Sequence, residues 1–213
     1  MQPASREESH FLESVDAGIP VVSLEETANE RISFVKGNDY RTAYNLTTEC
    51  IRQGHRNIAF ATFQFDSIGL NERVRGFQDA IAEAKIAGGC KVITTKDLSL
   101  SAAEASFKDM ERKFSLILCS DDRLACRLLQ VLAKQQVRIP DEISLVGWNN
   151  SRFLGYLTLP LSSVSIPMDR VGRKAAAIIL ANLNGNQVVR KNYIAEEIVF
   201  RESFTAKDIS QQL

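Results

Sequence analysis

Short apolar runs that alternate with longer stretches of helical periodicity dominate the pattern of this 213-residue chain. Each run is brief and almost continuously apolar, which is typical of strands covered on both faces. The predicted strands are residues 20–24, 57–62, 91–94, 115–118 and 142–147. The predicted helices are residues 8–17, 38–53, 71–87, 122–136 and 168–183. This alternation predicts an α/β fold with parallel sheets flanked by helices.

The loops that follow the strands are the first candidates for a binding site. In sheets of this kind, ligands bind beyond the carboxyl ends of the strands, where the loops lead into helices. Four loops qualify: the one after Leu24, the one from Phe63 to Leu70, the one at Ser120-Asp121 and the one after Gly147.

The charge balance limits the partners of the chain. It has 26 basic and 26 acidic residues, so it lacks the basic surplus that direct nucleic-acid binding favours. No run of about 18 apolar residues predicts a membrane span. The first 20 residues are polar and lack the apolar core of a secretion signal, so we expect a cytoplasmic protein without a membrane partner.

The motifs of common enzyme and metal sites are missing from the sequence. The four cysteines show no C-x-x-C spacing and only two histidines accompany them, so neither a metal nor a cofactor is expected. The sequence contains no G-x-S-x-G, Walker or G-x-G-x-x-G motif. His55 follows the helix-ending Gly54, and a turn histidine bonded to backbone is favoured there over a catalytic base. We therefore expect a protein that is not an enzyme and has no catalytic residues.

Three polar residues at the predicted carboxyl edge suggest binding chemistry instead. Arg73 begins a helix, and its planar guanidinium suits adjacent hydroxyls or a carboxylate, although a solvated helix arginine is the alternative. Asp121 and Asn149 follow strand ends, where they could contact a ligand or serve only as helix cap and turn residues. Trp148 could stack on a ligand or pack in the core.

Five sequence blocks resemble the lactose-repressor (LacI/GalR) family of bacterial transcription regulators. They occur in the family's order and spacing, and the resemblance covers about residues 18–204. The blocks are GHRNIAF at Gly54–Phe60, ERVRGFQDAI at Glu72–Ile81, SDDRLA at Ser120–Ala125, IPDEISLVGWNN at Ile139–Asn150 and LPLSSVSIPMDRVGRKAA at Leu159–Ala176.

The resemblance implies a periplasmic-binding-protein-like fold of two α/β lobes with the effector in the cleft between them. An N-terminal lobe would comprise residues 1–36 and 166–193, and a C-terminal lobe residues 37–165 and 194–204, the latter including a return strand near 195–204. Residues 205–213 would form a tail. The N-terminal lobe is expected to be truncated, because the helix-turn-helix and the first part of that lobe in the family have no counterpart here.

The resemblance also nominates effector-binding positions. Arg73 matches the family's ligand-binding arginine. Asp121 stands where the family usually has Asn, and Asn149 where it usually has Asp, which implies that donors and acceptors are rearranged around the ligand. The further positions that match cleft-lining residues are Glu25, Leu98, Ile166 and Met168.

The function implied is effector sensing for a transcription regulator. The effector would be a small polar metabolite, a sugar or a related compound. The chain would act as a homodimer and reach operator DNA only through a helix-turn-helix outside the present sequence, with no DNA-binding residue of its own. The alternative is a solute-binding protein of a transport system, against which the polar N-terminal segment and the first and fourth blocks argue.

Overall fold

The structure of the chain, a computed structural model, describes residues 6–27, 29–108 and 113–207. Within them the chain forms two compact units. The first consists of the described residues up to Asn38 together with Pro167–Ala195, and the second of Asp39–Ile166 and the described residues from Glu196 onward. These boundaries lie close to those expected from the sequence, and the assignment of the two units to the lobes of a binding protein stays a prediction.

The helices and strands alternate along most of the chain. The helices are α1 (Arg6–Asp16), α2 (Asp39–Arg52), α3 (Ile68–Ala84), α4 (Leu100–Phe107), α5 (Asp122–Lys134) and α6 (Met168–Leu183). The strands are β1 (Val22–Ser23), β2 (Ser33–Gly37), β3 (Ile58–Phe63), β4 (Lys91–Thr95), β5 (Leu116–Cys119), β6 (Ser144–Trp148), β7 (Ser162–Ser165), β8 (Lys191–Ile194) and β9 (Glu197–Val199). No helix in the described part of the chain combines the length and apolar character that crossing a bilayer requires.

The first unit contains a small parallel sheet in the order β1-β2-β8. Helices α1 and α6 belong to this unit, and α6 packs on β1 and β2. The predicted helix 168–183 is confirmed with the same bounds. Pro167 stands at its N-cap, because a proline has no N–H to leave unpaired at a helix start.

The second unit is built on a six-stranded sheet in the order β4-β3-β5-β6-β7-β9. All neighbouring strands are parallel except the pair β7 and β9, which is antiparallel. The predicted return strand near 195–204 is confirmed as β9. The α/β class and the parallel sheets predicted from the alternating pattern are therefore confirmed.

Both faces of this sheet are buried at its central strands β3, β5 and β6, which explains their nearly continuous apolar runs. Successive side chains of a strand point to opposite faces. One face packs Ala59, Ala61, Ile117 and Leu145 against the apolar sides of α4 and α5. The other packs Ile58, Phe60, Leu118 and Val146 against those of α2 and α3. A strand with a core on each side cannot alternate between apolar and polar residues.

Among the helices and strands of the described residues, five escaped the prediction from periodicity: β2, α4, β7, β8 and β9, the last of which was expected only from the family resemblance. Strand β7 is nearly all serine, and the hydroxyls of Ser162 and Ser163 are buried because backbone and carboxylate groups bond them. Strand β8 contains polar residues and only one of its four residues is buried, so it lacks a continuous apolar run. Helix α4 is only eight residues long, too short to show a clear helical period. The predicted helix 71–87 instead begins at Ile68 and ends at Ala84, where Lys85 adopts a left-handed conformation.

The first residues of the expected tail, 205–213, are bound to the second unit. The backbone N–H of Thr205 donates to Ser144 Oγ, and that of Lys207 donates to the carbonyl of Gln53 at 2.9 Å. Residues 205–207 are thus bound to the second unit, and residues 208–213 lie outside the described residues.

His55 is a structural histidine, as the sequence favoured. It is fully buried, its Nε2 lies 3.0 Å from the carbonyl of Thr205 and its Nδ1 lies 2.9 Å from Ser115 Oγ. A neutral ring satisfies both contacts, with Nε2 donating to Thr205 and Nδ1 accepting from Ser115. Burial lowers the pKa of His55 to about 4.

This histidine predicts a loss of stability in mild acid. Because the folded-state pKa lies below the unfolded value of about 6.5, the stabilisation is complete above pH 6.5 and is lost as the pH falls towards 4. In that window the free energy of unfolding should fall by up to about 1.4 kcal/mol per pH unit more in the wild type than in His55→Gln. Urea unfolding between pH 4 and 8 measures the free energy of unfolding of each variant, with His10→Gln as the control. Equal pH dependences of this free energy in the wild type and in His55→Gln would contradict the prediction.

Gly76 allows α2 and α3 to approach closely. A Cβ at this position would lie 2.3 Å from the carbonyl oxygen of Tyr40 and 3.0 Å from the backbone nitrogen of Tyr44. Both neighbours are backbone atoms of a packed helix, so neither can turn away.

We expect Gly76→Ala to destabilise the protein by about 2 kcal/mol or more, because the helices must separate to admit the methyl group. Gly88→Ala is the matched control, since a Cβ there meets no atom within 4 Å. Chemical denaturation of both variants measures the difference, and equal stabilities would refute this account of the helix pair.

Candidate functional site

Polar side chains gather where the central strands of the six-stranded sheet end. Strands β3, β5 and β6 are parallel and end at Phe63, Cys119 and Trp148. Three of the four loops predicted to carry function therefore leave the same edge of this sheet, which we call the carboxyl edge.

Arg73, in the second turn of α3, is fixed by three contacts at this edge. Its Nε donates to Oδ1 of Asp39 at 2.7 Å, and its Nη1 donates to the carbonyl of Ser120 at 2.5 Å. The guanidinium carbon lies 4.4 Å from the ring centre of Trp148. The side chains of Arg73 and Asp39 are 12% and 6% exposed. The alternative of a freely solvated helix arginine is therefore wrong.

Ser120 and Trp148 lie against the guanidinium of Arg73 and support it from the side of the sheet. Leu118 pairs with Val146 in the β5–β6 ladder, so Ser120 and Trp148 lie side by side two residues further along. Both are fully buried, and neither Ser120 Oγ nor Trp148 Nε1 has a hydrogen-bond partner among the described residues. Trp148 belongs to the core cluster, which agrees with the packing interpretation of this residue, and its ring also contacts the Arg73 guanidinium; stacking of Trp148 on a ligand stays a prediction.

Asp121 is the N-cap of α5. Its Oδ1 accepts the backbone N–H of Arg123 at 2.7 Å, and both carboxylate oxygens are bound by the Arg123 guanidinium at 2.9 and 3.0 Å. This agrees with the helix-cap interpretation. Its Oδ2 also lies 3.4 Å from Nδ2 of Asn149, so the two residues exchanged relative to the family pattern are neighbours.

Asn149 follows β6 in an unusual backbone conformation. Its φ is 101° and that of Asn150 is 49°, values that non-glycine residues seldom adopt. The side chain of Asn149 is exposed, whereas Asn150 is bonded to Ser165 and Arg201. Of the two amides, Asn149 is the one open to a ligand.

Asp122, beside the cap, is a buried carboxylate that the sequence did not single out. Its Oδ1 accepts the hydroxyl of Ser163 and its Oδ2 accepts the N–H of Ser151, both at 2.7 Å. Burial raises the pKa of Asp122, and the bonds from Ser151 and Ser163 act in the opposite direction. Asp39 was also missed; an acidic residue at the start of a helix is a signal, but it is too common to identify a site.

The four other nominated residues do not join this polar group in the described contacts. Leu98 follows β4 and packs against the α4–α5 core, whereas Ile166 packs against the α2–α3 core. Glu25 and Met168 belong to the first unit, where both are exposed. Their place in an effector site stays a prediction. Among the described residues no three His, Cys, Asp or Glu side chains form a metal-binding group.

Removing Arg73 should cost far more stability than removing Arg75, two residues further along the same helix. Arg73→Met leaves the buried Asp39 carboxylate without this partner, for which we expect a loss of about 3 kcal/mol. The exposed pair of Arg75 with Glu72 is worth less than about 1 kcal/mol, so Arg75→Met is the control. Denaturation in urea measures both, and equal losses would show that the Arg73–Asp39 pair is not special.

Comparison with known proteins places these residues in a family context. The family of periplasmic binding protein-like domains matches residues 47–204. The chain is 29% identical over 170 residues to the HTH-type transcriptional repressor PurR of Aliivibrio salmonicida, covering 78% of this chain and 51% of that protein. It is also 29% identical over 191 residues to the HTH-type transcriptional regulator AscG of Escherichia coli, covering 88% and 57%. The chain thus spans about half the length of these curated relatives.

A solved structure supports the same fold. A LacI family transcriptional regulator from Enterococcus faecium, determined with bound ribose, aligns with a TM-score of 0.81 at 18% identity, over 96% of this chain and 78% of that one. These relatives are transcription regulators, and none of the three is a transport protein. The chain belongs to the family of periplasmic binding protein-like domains, and the curated relatives that it matches are HTH-type transcription regulators.

Proposed function

We propose that this chain senses a small, neutral, hydroxyl-rich metabolite, a sugar or a related compound, for a transcription regulator. The ligand binds at the carboxyl edge of the six-stranded sheet, with Arg73, Asp121 and Asn149 as its polar contacts. The observation that carries the proposal is the fixed orientation of the Arg73 guanidinium by Asp39, Ser120 and Trp148.

A guanidinium held in this way is a preorganised hydrogen-bond donor for a ligand. Among the described residues, its hydrogen bonds occupy Nε and Nη1, which leaves the N–H groups of Nη2 for a ligand. Because the side chain is already ordered, binding costs little conformational entropy. A planar donor of this kind suits adjacent hydroxyl groups on a ring.

The local charges favour a neutral ligand over an anion. Arg73 is paired with Asp39, and Asp121 is paired with Arg123. The buried Asp122 adds a further acidic group nearby. An anionic ligand would therefore meet no uncompensated positive charge among these residues, whereas hydroxyl groups can donate to carboxylates and accept from the guanidinium and the Asn149 amide.

The regulatory role rests on the relatives. PurR of A. salmonicida and AscG of E. coli are HTH-type regulators, and the E. faecium regulator was determined with ribose. A ligand that binds one conformation of the core more tightly increases the population of that conformation. In a longer protein, this shift would change how an attached DNA-binding domain binds its operator. The homodimer and the operator DNA expected from the sequence belong to this proposal.

A thermal-shift screen of neutral sugars against the corresponding sugar phosphates tests the proposal. A ligand that binds only the folded state raises the melting temperature, and we expect this from a neutral sugar such as D-ribose but not from its 5-phosphate. Arg73→Lys keeps the charge opposite Asp39 but loses the planar fork, so the affinity for the sugar should fall about 10- to 100-fold in calorimetry.

Arg75→Lys is the matched control and should bind like the wild type. A full panel of sugars without any shift would refute the sugar assignment. If Arg73→Lys binds the sugar as tightly as the wild type does, Arg73 is not a contact of the ligand.

A further inference from the structure

The turn after β6 must be held in place by its surroundings. Asn149 and Asn150 both have positive φ values, at 101° and 49°. A backbone of this kind persists only where neighbouring groups over-determine it. The exposed carboxamide of Asn149 depends on this turn for its position and direction.

Hydrogen bonds fix the turn from the side of β7. The N–H of Asn149 donates to the carbonyl of Val164 at 2.9 Å, which continues the β6–β7 ladder. The N–H of Asn150 donates to Ser163 Oγ at 3.0 Å. The Ser163 hydroxyl must therefore stay in place for the turn to keep its hydrogen bond to Asn150.

Asp122 orients that hydroxyl and also binds the far end of the turn. Its Oδ1 accepts from Ser163 Oγ and its Oδ2 accepts from the N–H of Ser151, each at 2.7 Å. Two donors approach two separate oxygens, an arrangement that a carboxylate satisfies in full. The first helical residue of α5 thereby connects both ends of the turn.

Asp122 is tightly packed against β6. The residue is 1% exposed. A Cβ on Gly147 would lie 2.3 Å from Asp122 Oδ1, so the carboxylate occupies the space that a side chain on β6 would need. Burial of a carboxylate is costly unless it is bonded, and here the bonds are those that hold the turn.

We propose that Asp122 is a positioning residue for the ligand site: its buried carboxylate holds the left-handed turn and thereby aims the Asn149 carboxamide at the ligand. The role in binding rests on the function proposed above, whereas the effect on the turn does not. Asp121, its neighbour, supports the same amide from the other side through the 3.4 Å contact with Asn149 Nδ2.

The effect on the turn can be measured without a ligand. In Asp122→Ala we expect amide hydrogen exchange at Ser151 to accelerate at least about tenfold and the side-chain amide resonances of Asn149 to shift. Asp79→Ala is the control, because Asp79 also accepts a hydroxyl, that of Tyr40 at 2.9 Å, on the surface of α3. An unchanged Ser151 amide and unchanged Asn149 resonances in folded Asp122→Ala overturn the proposal.

A second variant keeps the test decisive if Asp122→Ala does not fold. Ser163→Ala retains the carboxylate but removes the hydroxyl between it and Asn150. It should shift the side-chain amide resonances of Asn149 away from their wild-type positions, and unshifted resonances overturn the proposal.

Calorimetry with D-ribose separates this proposal from the previous one. We expect the affinity of Asp122→Ala, or of Ser163→Ala in its place, to fall about tenfold or more, with Asp79→Ala unchanged. If the wild type binds no sugar, the proposed function fails while the exchange data still decide the effect on the turn. If the wild type binds and the variant binds equally well, the role of Asp122 in ligand binding fails.

Discussion

The side chain of Arg73 joins four elements of the second unit at a single point. Its helix, α3, is connected through the guanidinium to the start of α2 by Asp39, to the end of β5 by the Ser120 carbonyl and to the end of β6 by the Trp148 ring. Each of these elements supplies part of the carboxyl edge. The geometry of the candidate site therefore follows from one well-paired cation rather than from any loop alone.

The N-terminus of α5 supplies a second set of hydrogen bonds that hold residues at the carboxyl edge in place. Asp121 caps the helix and reaches Asn149, and Asp122 turns into the protein to hold Ser151 and Ser163. Two adjacent carboxylates thus serve this edge, Asp121 with an exposed fraction of 8% and Asp122 with 1%. Because every charge in this group except the buried Asp122 is paired, the edge presents directed hydrogen-bonding groups and no unpaired positive charge, which suits recognition of hydroxyl groups.

The positions of the nominated residues show how far sequence reasoning reaches. Arg73, Asp121 and Asn149 were placed at one sheet edge because parallel strands direct all their carboxyl ends the same way, and the structure brings them to that edge. The sequence could not reveal that Arg73 is paired with Asp39, since the two are 34 positions apart in the chain. Asp122 was overlooked because nothing local distinguishes a buried carboxylate from the cap beside it.

The sequence alone determined the fold class, the long helices and the doubly covered strands, because hydrophobic periodicity reports directly on which side chains meet a core. Its motif blocks also pointed to the family to which the chain belongs. Only the tertiary structure decided which polar residues are buried and what they bind: the serines of β7, the neutral His55, the Asp39 partner of Arg73 and the left-handed turn at Asn149. The physical reason is that a polar group can be buried only where a specific partner satisfies it, and that partner comes from a distant part of the chain.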